Sequence, residues 1–471
     1  MFAMDQTVAT EQSTDALSVG FVSLGCAKNL VDSEKMLGQI AEAGCTLTGD
    51  PAEADVIVIN TCGFLADSRV EALEAIEEMA RYKTQGRCSR IVVAGCLVQR
   101  DGKKLLAEAA GIDALVGVNN RDDVVRAVLG ERSDATRQDS ERSGGVDLHL
   151  GDYHPHVDID TSRMRLTPGH YAYLRVSEGC DQKCTFCTIP SIRGPMHSKP
   201  PEAILAEARE LIADGAVEIN LIGQDTTSYG ADIGYGPGLA GLLRELNTLS
   251  GVGWIRLMYV YPSVFTDEMI EALATCDKVV KYVDIPLQHI NDRVLKAMRR
   301  RITRAETERL LEKLRTRIED VTIRTTFIAG FPGETRDEFE ELLSFIHGFG
   351  FDALGVFPYS LEPDTPAGRM PEQLNDQDKQ ARADEIMAAQ QSIAFARATR
   401  YIDRRFKVLV ESDDGECIVG RHAGQAPEVD PVTYLDADDL SPGDFVDVRC
   451  TGTDEYDLIA EPTSLRLPVV S

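Results

Sequence analysis

An apolar, β-branched run followed by an amphipathic helix recurs along most of this chain, and that alternation restricts the fold more than any single residue does. Strands separated by helices pair in parallel, and their carboxyl ends collect along one edge, where ligands bind. The first three such strands are the run from Val19 to Leu24, DVIVIN ending at Asn60, and RIVVAG ending at Gly95. Asp32 and Ser33 are placed to cap the helix after the first strand, with Gly44 closing it, and Ser68 with Glu71 reads as a capping box for the next. Cys26, Cys62 and Cys96 lie just beyond the three strands, so the topology brings them to a shared edge despite their separation in sequence. Taken singly, each would read as a buried core cysteine. Three at equivalent loop positions point instead to shared ligation of a cluster.

A second series begins with YAYLRVS and continues through VEINLIG, WIRLMYV, VVKYVDIPL, TIRTTFIAG and ALGVFPY, with helical stretches such as EAILAEARELIADG between them. Six strand–helix units are too few for the closed eight-unit barrel and fit an incomplete parallel one, a partial (β/α)6 barrel whose active edge is again the carboxyl one. The exit loop of its first strand carries GCDQKCTFCTIP, in which Cys180, Cys184 and Cys187 are separated by three and then two residues. Three thiolates on one short loop leave an iron–sulfur cluster with one iron free of protein, open to a small molecule as a catalytic zinc is. The same rim gathers Gln224 and Asp225, Gln288 and His289, and IAGFPGE, where Gly330 and Gly333 permit close backbone approach and Glu334 can accept hydrogen bonds.

From Phe406 the periodicity shifts to five short alternating strands, FKVLVE, CIVGRH, VTYL, DFVDVRC and YDLIAEP, which suggest a small antiparallel β-barrel. The domains expected are a flexible tail at 1–17, an N-terminal parallel-sheet α/β domain at 18–130, a linker at 131–165, the partial barrel at 166–400 and the small β-barrel at 401–471. His154 and His156 sit in the polar linker and read as solvated rather than metal-binding. Barrels of the last kind commonly bind oligonucleotides through basic and aromatic faces. This one, from residue 407 on, carries four Lys or Arg against fifteen Asp or Glu, within a chain of net charge −28. Such a surface repels phosphate backbones and favours basic partners. No 18-residue apolar run or secretory pattern is present, so a soluble, cytoplasmic protein is expected. Eleven cysteines in such a chain point to metal or redox chemistry.

The C-x3-C-x2-C spacing with Phe186 before the last cysteine resembles the radical S-adenosylmethionine (SAM) enzymes. From about Val19 the whole chain resembles their methylthiotransferase family, whose parts are an N-terminal cluster domain, a radical-SAM barrel and a C-terminal TRAM domain. Within that family SLGCAKNLVDSE, NTCGF, GQDTTSYG and DIPLQHI are similar to the RimO branch, which modifies an aspartate of a small-subunit ribosomal protein. The tRNA-modifying branch has Gln-Met-Asn after its first cysteine and Val-Arg after its second; here Ala27-Lys28-Asn29 and Gly63-Phe64 stand in those places. One departure is HSKP, where an Arg often follows the Ser and Lys199 keeps the charge.

The resemblance implies that Cys180, Cys184 and Cys187 are catalytic and hold a SAM-binding [4Fe–4S] cluster, and that Cys26, Cys62 and Cys96 hold an auxiliary [4Fe–4S] cluster. Gln224, Gly330, Gly333 and Glu334 are the candidates for binding SAM. It further implies two SAM per turnover, an electron donor such as flavodoxin or ferredoxin, an unidentified sulfur donor, and a basic ribosomal protein of the decoding centre, free or in the assembling ribosome, as substrate. RNA contact is secondary in this reading. Two rivals stay open on sequence alone: a tRNA methylthiotransferase with the same clusters, and a non-catalytic iron–sulfur or zinc scaffold.

Overall fold

The computed structural model describes residues 16–131, 145–151, 153, 159–413, 415, 417–437 and 439–463. Its amino-terminal part is a six-stranded, all-parallel sheet of β1 (Ser18–Ser23), β2 (Thr46–Thr48), β3 (Val56–Thr61), β4 (Arg90–Gly95), β5 (Ala114–Gly117) and β6 (Asp147–His149), in the order β2-β1-β3-β4-β5-β6. β3 is buried throughout, and its residues alternate between two cores. Val56 and Val58 pack with Met36 and Ile40 of the helix Ala27–Glu42, while Ile57 and Ile59 pack with Ala72 and Ile76 of the helix Ala66–Ala80. Burial on both faces explains why its sequence is a continuous apolar run.

Both helix starts differ from the sequence reading. The first helix begins at Ala27, with the Cys26 carbonyl already accepting from the Leu30 amide, so Asp32 and Ser33 lie inside it and are buried. Ser33 Oγ instead bonds Ser23 Oγ at 2.7 Å. The second begins at Ala66, ahead of Ser68, and its amino end is received by another domain: Glu362 Oε1 accepts from the Ala66 amide at 2.9 Å. The strand β6 falls in the stretch expected to be a linker. Asp147 faces Ala114 of β5 and takes Arg90 Nη2 at 2.5 Å, so its polar side chain is satisfied at the sheet edge. His154 and His156 lie outside the described residues.

The second part holds β7 (Tyr171–Arg175), a two-stranded ribbon of β8 (Ser177–Glu178) with β9 (His197–Ser198), then β10 (Glu218–Ile222), β11 (Trp254–Leu257), β12 (Tyr282–Asp284), β13 (Thr322–Ala329) and β14 (Ala353–Pro358). The six long-range strands pair in parallel as β7-β10-β11 and β12-β13-β14, joined by one parallel bridge, Ile255 to Val279. This is the open six-unit barrel expected. Ala172, Leu174, Ile219 and Leu221 turn outward under the helices, whereas Tyr171, Tyr173, Ile222 and Trp254 turn inward.

The third part closes completely: β15 (Arg405–Asp413), β16 (Ile418–His422), β17 (Thr433–Leu435), β18 (Phe445–Asp454) and β19 (Asp457–Pro462) form a barrel in the order β15-β16-β17-β19-β18. One pair, β17 with β19, is parallel and the others are antiparallel. The segment between β16 and β17 reaches into the open barrel and partners part of its polar lining. Glu428 accepts from Tyr171 OH at 2.7 Å, Asp430 from Tyr282 OH at 2.6 Å, and Ala423 O from Arg256 Nη1 at 2.8 Å. On β16 itself, Arg421 Nη2 donates to the fully buried Glu218 at 2.6 Å. Buried polar groups need such partners, and here the small barrel supplies them from a separate domain.

Candidate active site

β1, β3 and β4 are neighbours in the first sheet, so their exits bring Cys26, Cys62 and Cys96 together. Two glycines make the approach possible. Gly25 has φ +93°, and a Cβ there would lie 2.8 Å from Cys62 Cβ and 3.3 Å from its Sγ. At Gly63 a Cβ would lie 2.7 Å from Leu97 Cα and 3.1 Å from the Cys96 carbonyl carbon. Cys26 is open to solvent, Cys62 half-buried and Cys96 buried. Burial pushes the Cys96 thiol up to about 12; Arg193 opposes this, while the proximity of Cys26 and Cys62 adds to it. Although the Cys26 residue is open at its surface, the atoms crowded round its sulfur raise the thiol; Lys28 and Arg193, with the Asn29 and Lys28 amides, outweigh this and hold it below its ordinary value. Three thiols close enough to raise one another, beside a lysine and a guanidinium, suit a ligand set whose thiolates carry negative charge.

Cys180, Cys184 and Cys187 follow β8 at the carboxyl end of the open barrel. The Thr185 amide and hydroxyl bond the Met298 and Ala297 carbonyls at 3.1 and 2.9 Å, and Phe186 packs against the cluster of Val294, Met298 and Phe331. The aromatic before the last cysteine thus anchors the loop. Burial pushes Cys180 and Cys187 each up to about 12, and the nearby Cys184 thiol adds to both. A cation stands here as well: Arg300 Nη1 lies 3.8 Å from Cys184 Sγ, its guanidinium over the Tyr261 ring at 4.2 Å. Among the described residues no three His, Cys, Asp or Glu side chains close around a single metal ion.

Around the second set, buried polar atoms without partners collect on the rim: Ser177 Oγ, Gln224 Oε1 and Arg300 Nε. Each such atom costs on the order of 1–3 kcal/mol, so a group of them marks where a polar ligand such as SAM fits. Gln224 lies in this group, its Nε2 donating to Glu178 Oε1 at 2.7 Å. Glu334 is engaged from within its own loop: Oε2 accepts from the Gly330 amide at 3.1 Å, lies 3.5 Å from His289 Nε2, and Oε1 pairs with Arg382. Gly330 and Gly333 both have φ +75°, and a Cβ at Gly330 would strike Lys379 Cγ of the helix Asp376–Ala398 at 2.6 Å. The four sequence candidates thus share the rim, and Glu334 also shapes the glycine turn.

One five-residue helix, Ile189–Arg193, connects the two cysteine sets. At its start the Ile189 amide donates to Cys187 Sγ at 3.4 Å; at its end Arg193 Nη2 lies 3.2 Å from Cys96 Sγ, and Ile192 packs on Cys96. A helix of that length spans roughly 6–8 Å at about 1.5 Å per residue. Arg193 is the hinge of a buried ion network. Its Nη2 donates to Asp32 at 2.9 Å and its Nη1 to Glu178 at 3.0 Å; Arg175 Nη1 donates to Asp32 at 2.7 Å and to Glu178 at 2.6 Å. Arg121 adds a further pair to Asp32, and Lys199 Nζ, the residue of the HSKP departure, holds Asp160 at 2.6 Å and Glu207 at 2.7 Å. Burial alone would raise Asp32, but Arg121, Arg193 and Arg175 hold it below the ordinary carboxylate range. Sequence reading missed this network: Asp32 looked like a cap, and Arg175, Glu178 and Arg193 follow no periodicity. A second strut lies nearby, where Glu362 Oε2 receives Arg100 Nη2 at 2.6 Å with both side chains buried.

Residues 18–117 match the uncharacterized protein family UPF0004, residues 174–346 the Radical SAM superfamily, and residues 402–462 the TRAM domain. A ribosomal protein uS12 methylthiotransferase RimO from Geobacter sulfurreducens is 42% identical over 446 residues, covering 94% of this chain and 98% of that one. Its counterpart from Symbiobacterium thermophilum is 45% identical over 453 residues, covering 95% and 91%. Among solved structures, the radical SAM methyltransferase TsrM from Kitasatospora setae, with cobalamin and a [4Fe–4S] cluster bound, superposes with a TM-score of 0.54 at 17% identity over 75% of this chain and 77% of that one. That likeness is one of fold.

Proposed function

This chain belongs to the RimO family of radical-SAM ribosomal protein methylthiotransferases, and from that premise we propose that it inserts a methylthio group at the β-carbon of one aspartate of ribosomal protein uS12. Cys180, Cys184 and Cys187 hold the SAM-binding [4Fe–4S] cluster, and Cys26, Cys62 and Cys96 an auxiliary one. When bound, the SAM-binding cluster would pass an electron from the reductant to SAM for its homolytic cleavage and the auxiliary one would offer an iron to sulfur from a separate donor, with one SAM as radical source and a second as methyl donor. The observation that carries the reading is the helix Ile189–Arg193, with one cysteine set at each end.

The chain's own residues position and shield. Arg300 beside Cys184, and Lys28 with Arg193 beside the first set, place positive charge where thiolates must be stabilised. Gln224 presents a free polar atom to SAM, and Gly330 and Gly333 supply the left-handed turn that carries Glu334 on the same rim. The Asp32–Arg193–Glu178 network fixes the distance between the two halves, which is the main contribution a protein makes when cofactors do the chemistry. No helix among the described residues is long and apolar enough to cross a membrane, in keeping with a cytoplasmic enzyme served by flavodoxin or ferredoxin.

Anaerobically reconstituted enzyme, SAM and reductant should add a methylthio mass to one aspartate of purified uS12, read by peptide mass spectrometry. Transfer to tRNA and not to uS12 would overturn the substrate assignment.

A further inference from the structure

The buried cations of this molecule are matched with anions, with one exception. Arg175, Arg193, Lys199, Arg256 and Arg421 each hold a carboxylate. Lys28, at 6% exposure, makes neither a hydrogen bond nor an ion pair among the described residues. Its neighbours on the helix Ala27–Glu42 are committed: Ala27, Leu30 and Val31 pack with Tyr173 and Met258 of the open barrel, and Asn29 Nδ2 donates to the Leu24 carbonyl at 2.5 Å. Lys28 Nζ instead stands over the ring of Tyr259, 2.9 Å from its centre. A ring face offsets part of the cost of burying an ammonium, but it neutralises no charge and leaves the N–H donors unused.

Tyr259 is held so as to present that ring. It follows β11 at the carboxyl end of the open barrel, and its φ of +59° is a left-handed conformation that a tyrosine adopts at a cost. Its amide donates to Asp284 Oδ2 at 3.1 Å, and its carbonyl accepts from the Thr226 amide at 3.3 Å and hydroxyl at 3.0 Å. Thr226 is two residues beyond Gln224, whose free Oε1 lies on the rim assigned to SAM. Lys28 is two residues beyond Cys26 of the auxiliary set. The ammonium thus stands where the two halves of the site meet. Arg193 Nη2 meets Cys96 Sγ at 3.2 Å, whereas no cysteine sulfur among the described residues is hydrogen-bonded to Lys28 Nζ. Its unused donors therefore call for a different anion, one that the protein does not itself supply.

We propose that Lys28 is a specificity-determining residue that receives the side-chain carboxylate of the substrate aspartate. The inference rests on the function proposed above and names the group that selects the side chain. The carbon to be modified is bonded directly to that carboxylate, so pinning the carboxylate at Lys28 places the reacting carbon between the rim and the auxiliary set. An ammonium and a carboxylate form a charge-assisted hydrogen bond that a neutral side chain cannot replace. Neither an asparagine amide nor a nucleobase brings an anion to this position, and a phosphodiester, flanked by sugars on both sides, is too wide for a residue buried to this degree.

The test is isothermal titration calorimetry, which reads binding apart from turnover, on the anaerobically reconstituted full-length protein. Wild type and Lys28→Met are compared at equal iron content, each with purified uS12 and with uS12 whose modified aspartate, located by mass spectrometry, is replaced by asparagine. Wild type should bind the asparagine form about tenfold or more weakly than uS12, and K28M should bind both forms alike, near the weaker affinity, as two groups in direct contact require. Urea unfolding of K28M should show no loss of stability, because methionine keeps the apolar stem and removes a buried charge that nothing in the fold pairs. Equal binding of both forms by wild type, a comparison that needs no variant of the enzyme, would overturn the proposal. So would a K28M protein that still tells the two forms apart, or one destabilised by loss of the ammonium. Absence of both binding and methylthio transfer in wild type would bring down the substrate reading and this inference with it. Transfer to uS12 with equal binding of the two forms would bring down this inference alone.

Discussion

The two cysteine sets reach similar surroundings by opposite routes. Cys180, Cys184 and Cys187 occupy one loop of eight residues, which Thr185 and Phe186 within it anchor chiefly to one neighbouring stretch, Val294 to Met298. Cys26, Cys62 and Cys96 come from three strands, and their geometry depends on sheet order, on close packing at Gly25 and Gly63, and on Arg193 from the other domain. A site written into one loop tolerates distant change, whereas a site assembled by topology inherits the stability of everything that aligns its parts. The comparison can be broken at several points.

The largest effect is expected from Cys184→Ala, which should abolish SAM cleavage altogether, measured as 5′-deoxyadenosine formed under reducing conditions. Cys62→Ala should separate the sets: methylthiolation of uS12 should be lost while SAM cleavage continues, so full methylthiolation by that variant would refute an auxiliary role. Arg193→Gln leaves the buried Asp32 and Glu178 short of a partner, a change worth roughly 3–5 kcal/mol. Denaturant unfolding should show that loss, and iron should be shed from the first set before the second. Loss in the reverse order would mean that Arg193 does not support the topological site. Glu362→Gln weakens the second strut and the cap it gives Ala66; a smaller loss of about 1–3 kcal/mol is expected.

The last effect, absent at neutral pH, concerns the seam between the two barrels. Burial, with Arg256, Arg421 and Arg404, holds His422 down at about 3, well below its usual value near 6.5. Between those values the unfolded chain carries the proton and the folded chain does not. Stability from this group is therefore complete above about pH 6.5 and is lost as the pH falls toward 3. His422→Gln should flatten the stability–pH curve in that window by at most about 1.4 kcal/mol per pH unit, read from urea unfolding at pH 4, 5 and 6.

How far the sequence reveals this molecule follows the same division. Strands such as DVIVIN and RIVVAG are recognisable because burial on both faces demands unbroken apolar runs, and the three cysteines after them could be placed on one edge from topology alone. The short strand Asp147–His149 could not, because an edge strand of polar residues carries no periodic signal. Asp32 looked like a helix cap because a carboxylate between a strand and an apolar stripe usually is one; its pairing with three arginines far along the chain has no local signature.

The central claim is that each cysteine set holds its own cluster, and it is tested most directly by counting iron in two anaerobically reconstituted triple variants. The account predicts that C26A/C62A/C96A and C180A/C184A/C187A each retain about four irons per chain against about eight in the parent, with SAM cleavage surviving only in the first. A variant that keeps all of its iron, or loses all of it while still folded, would contradict two separate clusters.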